Sequence, residues 1–87
     1  MEKSIFIKEL IKMGFIFIGS KYDEKYKFNN YIIEIELGSE FNRHPKLEFY
    51  YKLQYRPIYK CTAAIYNYKE ALIYIENELS GKNAIVN

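Results

Sequence analysis

Two segments of the chain alternate with period two between apolar side chains and mostly polar or charged ones, and this alternation constrains the fold most. The apolar sets are Tyr31, Ile33, Ile35 and Leu37 in residues 31–37, and Leu47, Phe49, Tyr51, Leu53 and Tyr55 in residues 47–55. Successive side chains of a strand point to opposite faces, so both segments predict strands buried on one face. The expected exposed set is Glu34, Glu36, Glu48, Lys52 and Gln54. Such strands are typical of an antiparallel sheet.

Amphipathic helices are predicted on both sides of these strands. The first covers residues 4–13, with Ser4 as its cap, Gly14 just past its end, and an apolar stripe of Phe6, Ile7, Leu10 and Ile11. The second begins after Asn67, and Glu70 completes a capping-box pattern. Its apolar residues recur at helical spacing and are Tyr68, Ala71, Leu72, Ile75 and Leu79.

The remaining segments complete an α+β fold. Residues 15–18 are rich in β-forming residues, residues 21–28 alternate loosely, and Asn29 with Asn30 predicts a hairpin turn, because Asn tolerates positive φ. Residues 58–65 fit either a short edge strand or an ordered loop. We predict a small antiparallel sheet of about three strands with two helices packed on one face, in the order α-β-β-β-α. The predicted core is Phe6, Leu10, Ile33, Ile35, Phe49, Leu53, Leu72 and Ile75.

The composition indicates one small folded domain. The chain has 87 residues, of which 49% are hydrophobic, and its net charge is only +2. A disordered chain has a lower apolar content and a higher net charge. We expect a single compact domain over residues 1–81 and a flexible tail over residues 82–87. No apolar run is long enough to cross a bilayer, and charged residues interrupt the N-terminal apolar residues as they would not in a signal peptide. No membrane partner is therefore expected.

Residues that could carry catalysis or bind a metal are sparse. Cys61 is the only cysteine and His44 the only histidine, which excludes an intrachain disulfide and leaves too few ligands for a closed zinc site. As a nucleophilic pair they lack an obvious helix N-terminus to activate the thiol. Glu34 and Glu36 lie on the predicted wet face, where a carboxyl is not desolvated for acid catalysis. We predict no catalytic residue, no metal and no cofactor, and hence no enzyme.

A basic stretch that is interleaved with tyrosines provides the sharpest local signal. Between residues 43 and 60 the charged residues are Arg43, Lys46, Lys52, Arg56 and Lys60, against Glu48 alone. Such cations can neutralise phosphates while tyrosine rings stack on bases. Tyr and Arg are also enriched in protein–protein hot spots, and Ile73 with Tyr74 lies off the buried stripe of the second helix. The candidate partner-binding residues are Tyr50, Lys52, Arg56, Tyr59, Lys60 and Tyr74.

Two resemblances concern element order and size. The helix–strands–helix order resembles that of double-stranded-RNA-binding domains, but these carry a basic cluster at the start of the last helix, where this chain has only Lys69 beside Glu70. In size and fold class the chain is similar to small phage-encoded inhibitors of bacterial defence, anti-CRISPR proteins among them. Its bias towards Ile, Lys, Tyr and Asn, which have AT-rich codons, agrees with a low-GC bacterium or its phage or plasmid.

Together these features predict a non-catalytic protein-binding module in the cytoplasm of a bacterial host. Its partner would be another protein, such as a nuclease or a defence complex, whose surface it occludes. The alternative is a small nucleic-acid-binding module that uses the basic, tyrosine-bearing strand face, and a homodimer stays open as well.

Overall fold

A computed structural model describes residues 1–36, 44–52 and 58–81 of the chain. The elements in these residues are α1 (Lys3–Lys12), β1 (Ile16–Phe17), β2 (Glu24–Phe28), β3 (Tyr31–Glu36), β4 (Lys46–Lys52), β5 (Tyr59–Ile65) and α2 (Tyr68–Leu79). The strands form one antiparallel sheet in the order β1-β2-β3-β4-β5, so each strand pairs with its neighbour in sequence. The predicted α+β class and both predicted helices are confirmed.

The sheet described here has five strands, so the prediction of about three was wrong. Strands at the two edges account for the difference. β1 has two residues, which is too short for an alternation to show, and its pairing with β2 identifies it as a strand. β5 is an edge strand whose small side chains, and a bulge opposite Phe49 and Tyr50, obscure the period-two pattern.

The core lies between one face of the sheet and the two helices. Its buried residues are Phe6, Leu10, Phe15, Tyr26, Ile33, Ile35, Leu47, Phe49, Ala71, Leu72 and Ile75. Every predicted core residue except Leu53 is among them, and Leu53 lies outside the described residues, as does the tail predicted over residues 82–87. Ile11, which was assigned to the apolar stripe of α1, is exposed instead.

Turn and cap residues behave as their chemistry predicts, with one exception. Gly14 has φ of 105° and Asn29 has φ of 51°, both in the left-handed region. Asn67 caps α2, since its Oδ1 accepts the backbone N–H of Glu70 at 3.1 Å. Ser4 does not cap α1, because the helix begins one residue earlier and Glu2 occupies the cap position without a side-chain hydrogen bond.

Candidate interaction face

The sheet face opposite the helices carries no covering element in the described part of the chain, and we call it the open face. Its residues alternate along each strand with those of the core. They are Ile16, Lys25, Lys27, Ile32, Glu34, Glu36, Lys46, Glu48, Tyr50, Lys52, Tyr59, Cys61 and Ala64. Glu34, Glu36, Glu48 and Lys52 therefore lie on the predicted outward face, where Glu36 is exposed and the other three are half-buried. Gln54 lies outside the described residues.

Two carboxylates meet at the centre of the open face. Glu34 of β3 lies directly opposite Glu48 of β4. Like charges in directly opposite positions destabilise an antiparallel pair. Glu48 is compensated locally, because its Oε1 lies 3.6 Å from Nζ of Lys46. The centre of the open face is therefore acidic, although lysines surround it.

Glu34 is the less compensated of the two carboxylates. Lys25 lies opposite it on β2, but Nζ of Lys25 is 3.0 Å from Oδ2 of Asp23. That hydrogen bond and the charge of Asp23 are the main causes that raise the pKa of Lys25, and the charge of Glu34 contributes least. Within the described residues Glu34 has no cation within ion-pair distance. Its carboxylate is available to a cation from another molecule.

Tyr50 is fixed to the acidic centre by a hydrogen bond. Its hydroxyl donates to Oε2 of Glu48 at 3.0 Å. The pKa of Tyr50 is raised from 10.0 to about 12, first by desolvation, then by the hydrogen bond to Glu48 and the charges of Glu48 and Glu34. The hydrogen bond connects Tyr50 to Glu48, and its direct neighbour on β3 is Ile32.

A cation and an aromatic ring form the border of the open face towards β5. Lys52 lies opposite Tyr59, and its Nζ is 5.8 Å from the centroid of the Tyr59 ring. This distance is within the range of a cation–π interaction. Between this pair and the acidic centre is a shallow hollow, lined by Lys25, Ile32, Glu34, Tyr50 and Tyr59. The open face thus combines aromatic surface with charges of both signs.

The candidate binding residues do not form one surface. The open face brings together Tyr50, Lys52 and Tyr59. Lys60 lies opposite Tyr51, on the helix-covered side of β5. Arg56 lies outside the described residues.

Tyr74 belongs to the helix-covered side as well. It is half-buried in α2, with its ring centroid 4.9 Å from that of Phe49. Its hydroxyl is within hydrogen-bond distance of Thr62 Oγ1, at 3.2 Å, and of Glu78 Oε1, at 3.3 Å. The contacts with Phe49 and Thr62 attach α2 to the sheet, so Tyr74 cannot share a flat partner surface with Tyr50.

In the sequence Glu34 is considered only as a possible acid catalyst, and Ile32 is not singled out as a binding residue. Alternation places Glu34 and Glu48 on the same face but does not establish that they are direct neighbours. Their apposition depends on the β3–β4 register, which the intervening loop does not reveal. The only indication of this apposition in the sequence is that both strands carry glutamate at positions predicted to be exposed.

The geometry separates the residues that a nucleophilic pair would need. Cys61 lies opposite Tyr50, whereas His44 lies two residues before Lys46, where β4 begins, so residues 46–49 of the strand lie between the two positions. Sγ of Cys61 is 3.9 Å from Oε2 of Glu48. Among the described residues no three His, Cys, Asp or Glu side chains are grouped so that they could hold a metal ion.

Comparison with known proteins identifies no relative. A scan against protein-family models found no match, and searches of curated proteins and of solved structures found no similar chain. In residues 1–36, 44–52 and 58–81 no helix is long and apolar enough to cross a membrane.

Proposed function

We propose that the protein is a non-catalytic protein-binding module and that its partner docks on the open face. The observation that carries this proposal is the apposition of Glu34 and Glu48, where Glu34 has no cation partner among the described residues. A like-charge pair costs stability, and a partner that supplies a cation would remove that cost.

The distribution of charge favours a protein over a nucleic acid. A phosphate backbone crossing the sheet would approach the carboxylates of Glu34 and Glu48 between the lysines. A protein surface can instead match both signs, because its own charges alternate over short distances. The rings of Tyr50 and Tyr59 supply the aromatic contacts that are enriched in protein interfaces.

The same features specify the chemistry of the partner. We expect an Arg or Lys of the partner to reach Glu34, and an apolar side chain to enter the hollow between Ile32 and Tyr59. Acidic groups of the partner would lie near Lys27 and Lys52, on the two sides of that hollow. The specific partner that we propose is a host defence protein, whose surface the module would occlude.

Nucleic-acid binding is the second candidate, and the Lys52–Tyr59 pair supports it. A lysine packed on a tyrosine ring offers both a phosphate contact and a stacking surface. Binding of this kind would weaken steeply with salt concentration. The two candidates also make opposite predictions for a change of charge at Glu34.

The experiment compares Glu34→Lys with the charge-matched control Glu76→Lys, which alters an exposed position of α2. Tagged wild type and both variants are incubated with nuclease-treated bacterial lysate, from phage-infected cells as well, and retained proteins are quantified by mass spectrometry. Binding to a fluorescent single-stranded oligonucleotide is measured at several salt concentrations. Circular dichroism verifies that both variants fold.

We expect one protein to be retained by wild type and by Glu76→Lys, and lost at least about tenfold with Glu34→Lys, because the cation contact becomes a repulsion. If Glu34→Lys instead tightens oligonucleotide binding and no protein depends on position 34, the nucleic-acid candidate replaces the proposal. Equal retention by all three chains would place the binding surface elsewhere.

A further inference from the structure

The sheet edge formed by β1 exposes apolar side chains on both faces. Ile16 is 62% exposed, Phe17 54% and Ile18 42%. Residues 15–18 contain no charge and no polar side chain. No strand of residues 1–36, 44–52 and 58–81 pairs with the outer side of β1. Contiguous apolar residues on such an edge are where a further strand can add to a sheet.

The backbone of Phe17 is directed away from the sheet. The N–H of Ile18 donates to the carbonyl oxygen of Lys25 at 2.9 Å, which identifies these two residues as a hydrogen-bonded pair. Hydrogen-bonded and non-hydrogen-bonded pairs alternate in an antiparallel ladder, so Phe17 and Tyr26 form a non-hydrogen-bonded pair. The N–H and C=O of Phe17 therefore point to the outside of the edge.

We propose that β1 pairs with β1 of a second copy of this chain, around a twofold axis at Phe17. In this register the two Phe17 residues exchange backbone hydrogen bonds, and Ile16 of each copy lies opposite Ile18 of the other. The isoleucines of both copies then cover one another on the open face. On the helix-covered face each Phe17 ring, which already lies 5.5 Å from the Tyr26 ring, meets its counterpart.

The charges around the edge allow this self-pairing. The nearest open-face cations are Lys25 and Lys27, one strand away from the edge. Across the interface the lysines of the two copies would be three strand spacings apart, about 14 Å. This distance exceeds the Debye length of about 8 Å at physiological ionic strength, so their repulsion is screened. In this register the uncharged residues 16–18 of one copy meet the same uncharged residues of the other.

The opposite edge of the sheet shows the features that hinder such pairing. β5 carries Lys60 and a bulge next to Tyr50, and both are common means of protecting an edge strand. β1 has neither, and only its length limits association. Because stable interfaces bury at least about 1,000–1,200 Å² in total, a pairing centred on so short a strand gives a weak, concentration-dependent dimer.

The dimer does not depend on the proposed function. Pairing of two β1 strands about a twofold axis perpendicular to the sheet leaves both open faces on the same side. The dimer would present two copies of the candidate interaction face to one partner, or to two partners.

The first test measures mass by sedimentation equilibrium over a wide range of protein concentrations. Wild type is compared with Ile16→Glu and with Ile73→Glu, a matched change at a half-exposed position of α2. Ile16→Glu should preserve the fold, because the new carboxylate lies opposite Lys27. In the dimer, on its other side, the carboxylate would be desolvated against the apolar side chain of Ile18 of the other copy, which offers it no cation.

We expect wild type and Ile73→Glu to dimerise with increasing concentration, and Ile16→Glu to associate at least about tenfold more weakly. A monomer at every concentration, or a dimer equally sensitive to both changes, would overturn the proposal.

The second test examines the register with disulfides in a Cys61→Ala background. Ile16→Cys and Ile18→Cys chains are oxidised separately and as an equimolar mixture. Opposite residues of a non-hydrogen-bonded pair have Cα atoms about 4.5 Å apart, within disulfide range. We expect covalent dimer to form mainly in the mixture. Equal cross-linking by each chain alone would contradict the twofold axis at Phe17, whatever the result for partner capture.

Discussion

On the helix-covered face of the sheet Ile33 is 1% exposed, whereas its neighbour Ile32 lies on the open face among charged side chains. The two residues share one strand and one residue type, yet only Ile33 contacts the core. The open face also retains the like-charge pair of Glu34 and Glu48. Burial on one face is sufficient to hold the sheet together, so the other face can carry residues that are unfavourable for stability, as the proposed binding role requires.

The largest expected effect tests this difference between adjacent isoleucines. Ile33→Ala should lower the free energy of unfolding by about 2–5 kcal/mol, because it leaves a cavity beneath the helices. Ile32→Ala should cost less than about 1 kcal/mol, since water and nearby side chains can occupy the space. Urea unfolding followed by circular dichroism measures both.

If Ile33→Ala does not fold, Ile33→Val replaces it, with an expected loss of about 0.5–1.5 kcal/mol. Similar losses for the alanine changes at positions 32 and 33 would mean that the open face is covered in solution.

The next effect concerns how tightly the helix-covered side is packed at the end of α1. A Cβ added at Gly14 would lie 2.8 Å from Cε2 of Phe28, at φ of 105°. Gly14→Ala should therefore destabilise the fold by about 1–3 kcal/mol. Gly81→Ala is the matched control, because it has φ of 78° but no neighbouring atom within 4 Å.

The comparison of the two glycine variants by thermal unfolding separates backbone strain from the clash. We expect Gly81→Ala to cost about 1 kcal/mol or less. Equal losses at both positions would show that Phe28 can move away from the added methyl group.

A smaller effect of opposite sign is expected at the acidic centre of the open face. Glu34→Gln removes the repulsion from Glu48 and should stabilise the fold by about 0.2–1 kcal/mol, reduced by the weak attraction to Lys25 that is lost. The gain should shrink at high salt, because the charges are partly exposed. Urea unfolding at low and high salt measures it, with Glu76→Gln as the control.

Glu34→Gln should also weaken partner capture, although it raises the free energy of unfolding. A loss of stability in Glu34→Gln would contradict the view that this carboxylate is retained for binding.

The last effect appears only at high pH. The pKa of Tyr50 is raised to about 12 from 10.0, so the folded state holds this proton more tightly than the unfolded chain. The resulting stability is fully present below pH 10 and is lost as the pH rises through 12. Burial also raises the pKa of Tyr26 and Tyr74, so the total stability falls in the same direction.

The variant Tyr50→Phe isolates the contribution of this one residue. Stability should fall less steeply between pH 10 and 12 in Tyr50→Phe than in wild type, as measured by urea unfolding at each pH. In absorbance titrations of phenolate at 295 nm, Glu48→Gln should lower the highest pKa, because it removes the charge next to the phenol. An unchanged titration in Glu48→Gln would mean that the hydrogen bond does not persist in solution.

The sequence by itself determined both helices and the two faces of the central strands of this protein. The period-two alternation predicted β3 and the start of β4, and helical spacing predicted α2. The conformational preferences of Gly14, Asn29 and Asn67 predicted a helix end, a turn and a cap. These features depend on contacts within a few residues, so the local sequence contains the information for them.

Only the tertiary structure decided which strands lie at the edges and which residues meet on the open face. It paired Glu34 with Glu48, placed Lys60 and Tyr74 on the other side of the sheet from Tyr50, and left β1 at an apolar edge. β1 has only two residues and β5 is interrupted by a bulge, so neither strand shows a regular alternation in the sequence. Strand register and edge position follow from pairing between distant segments, and that pairing reflects the packing of the whole chain.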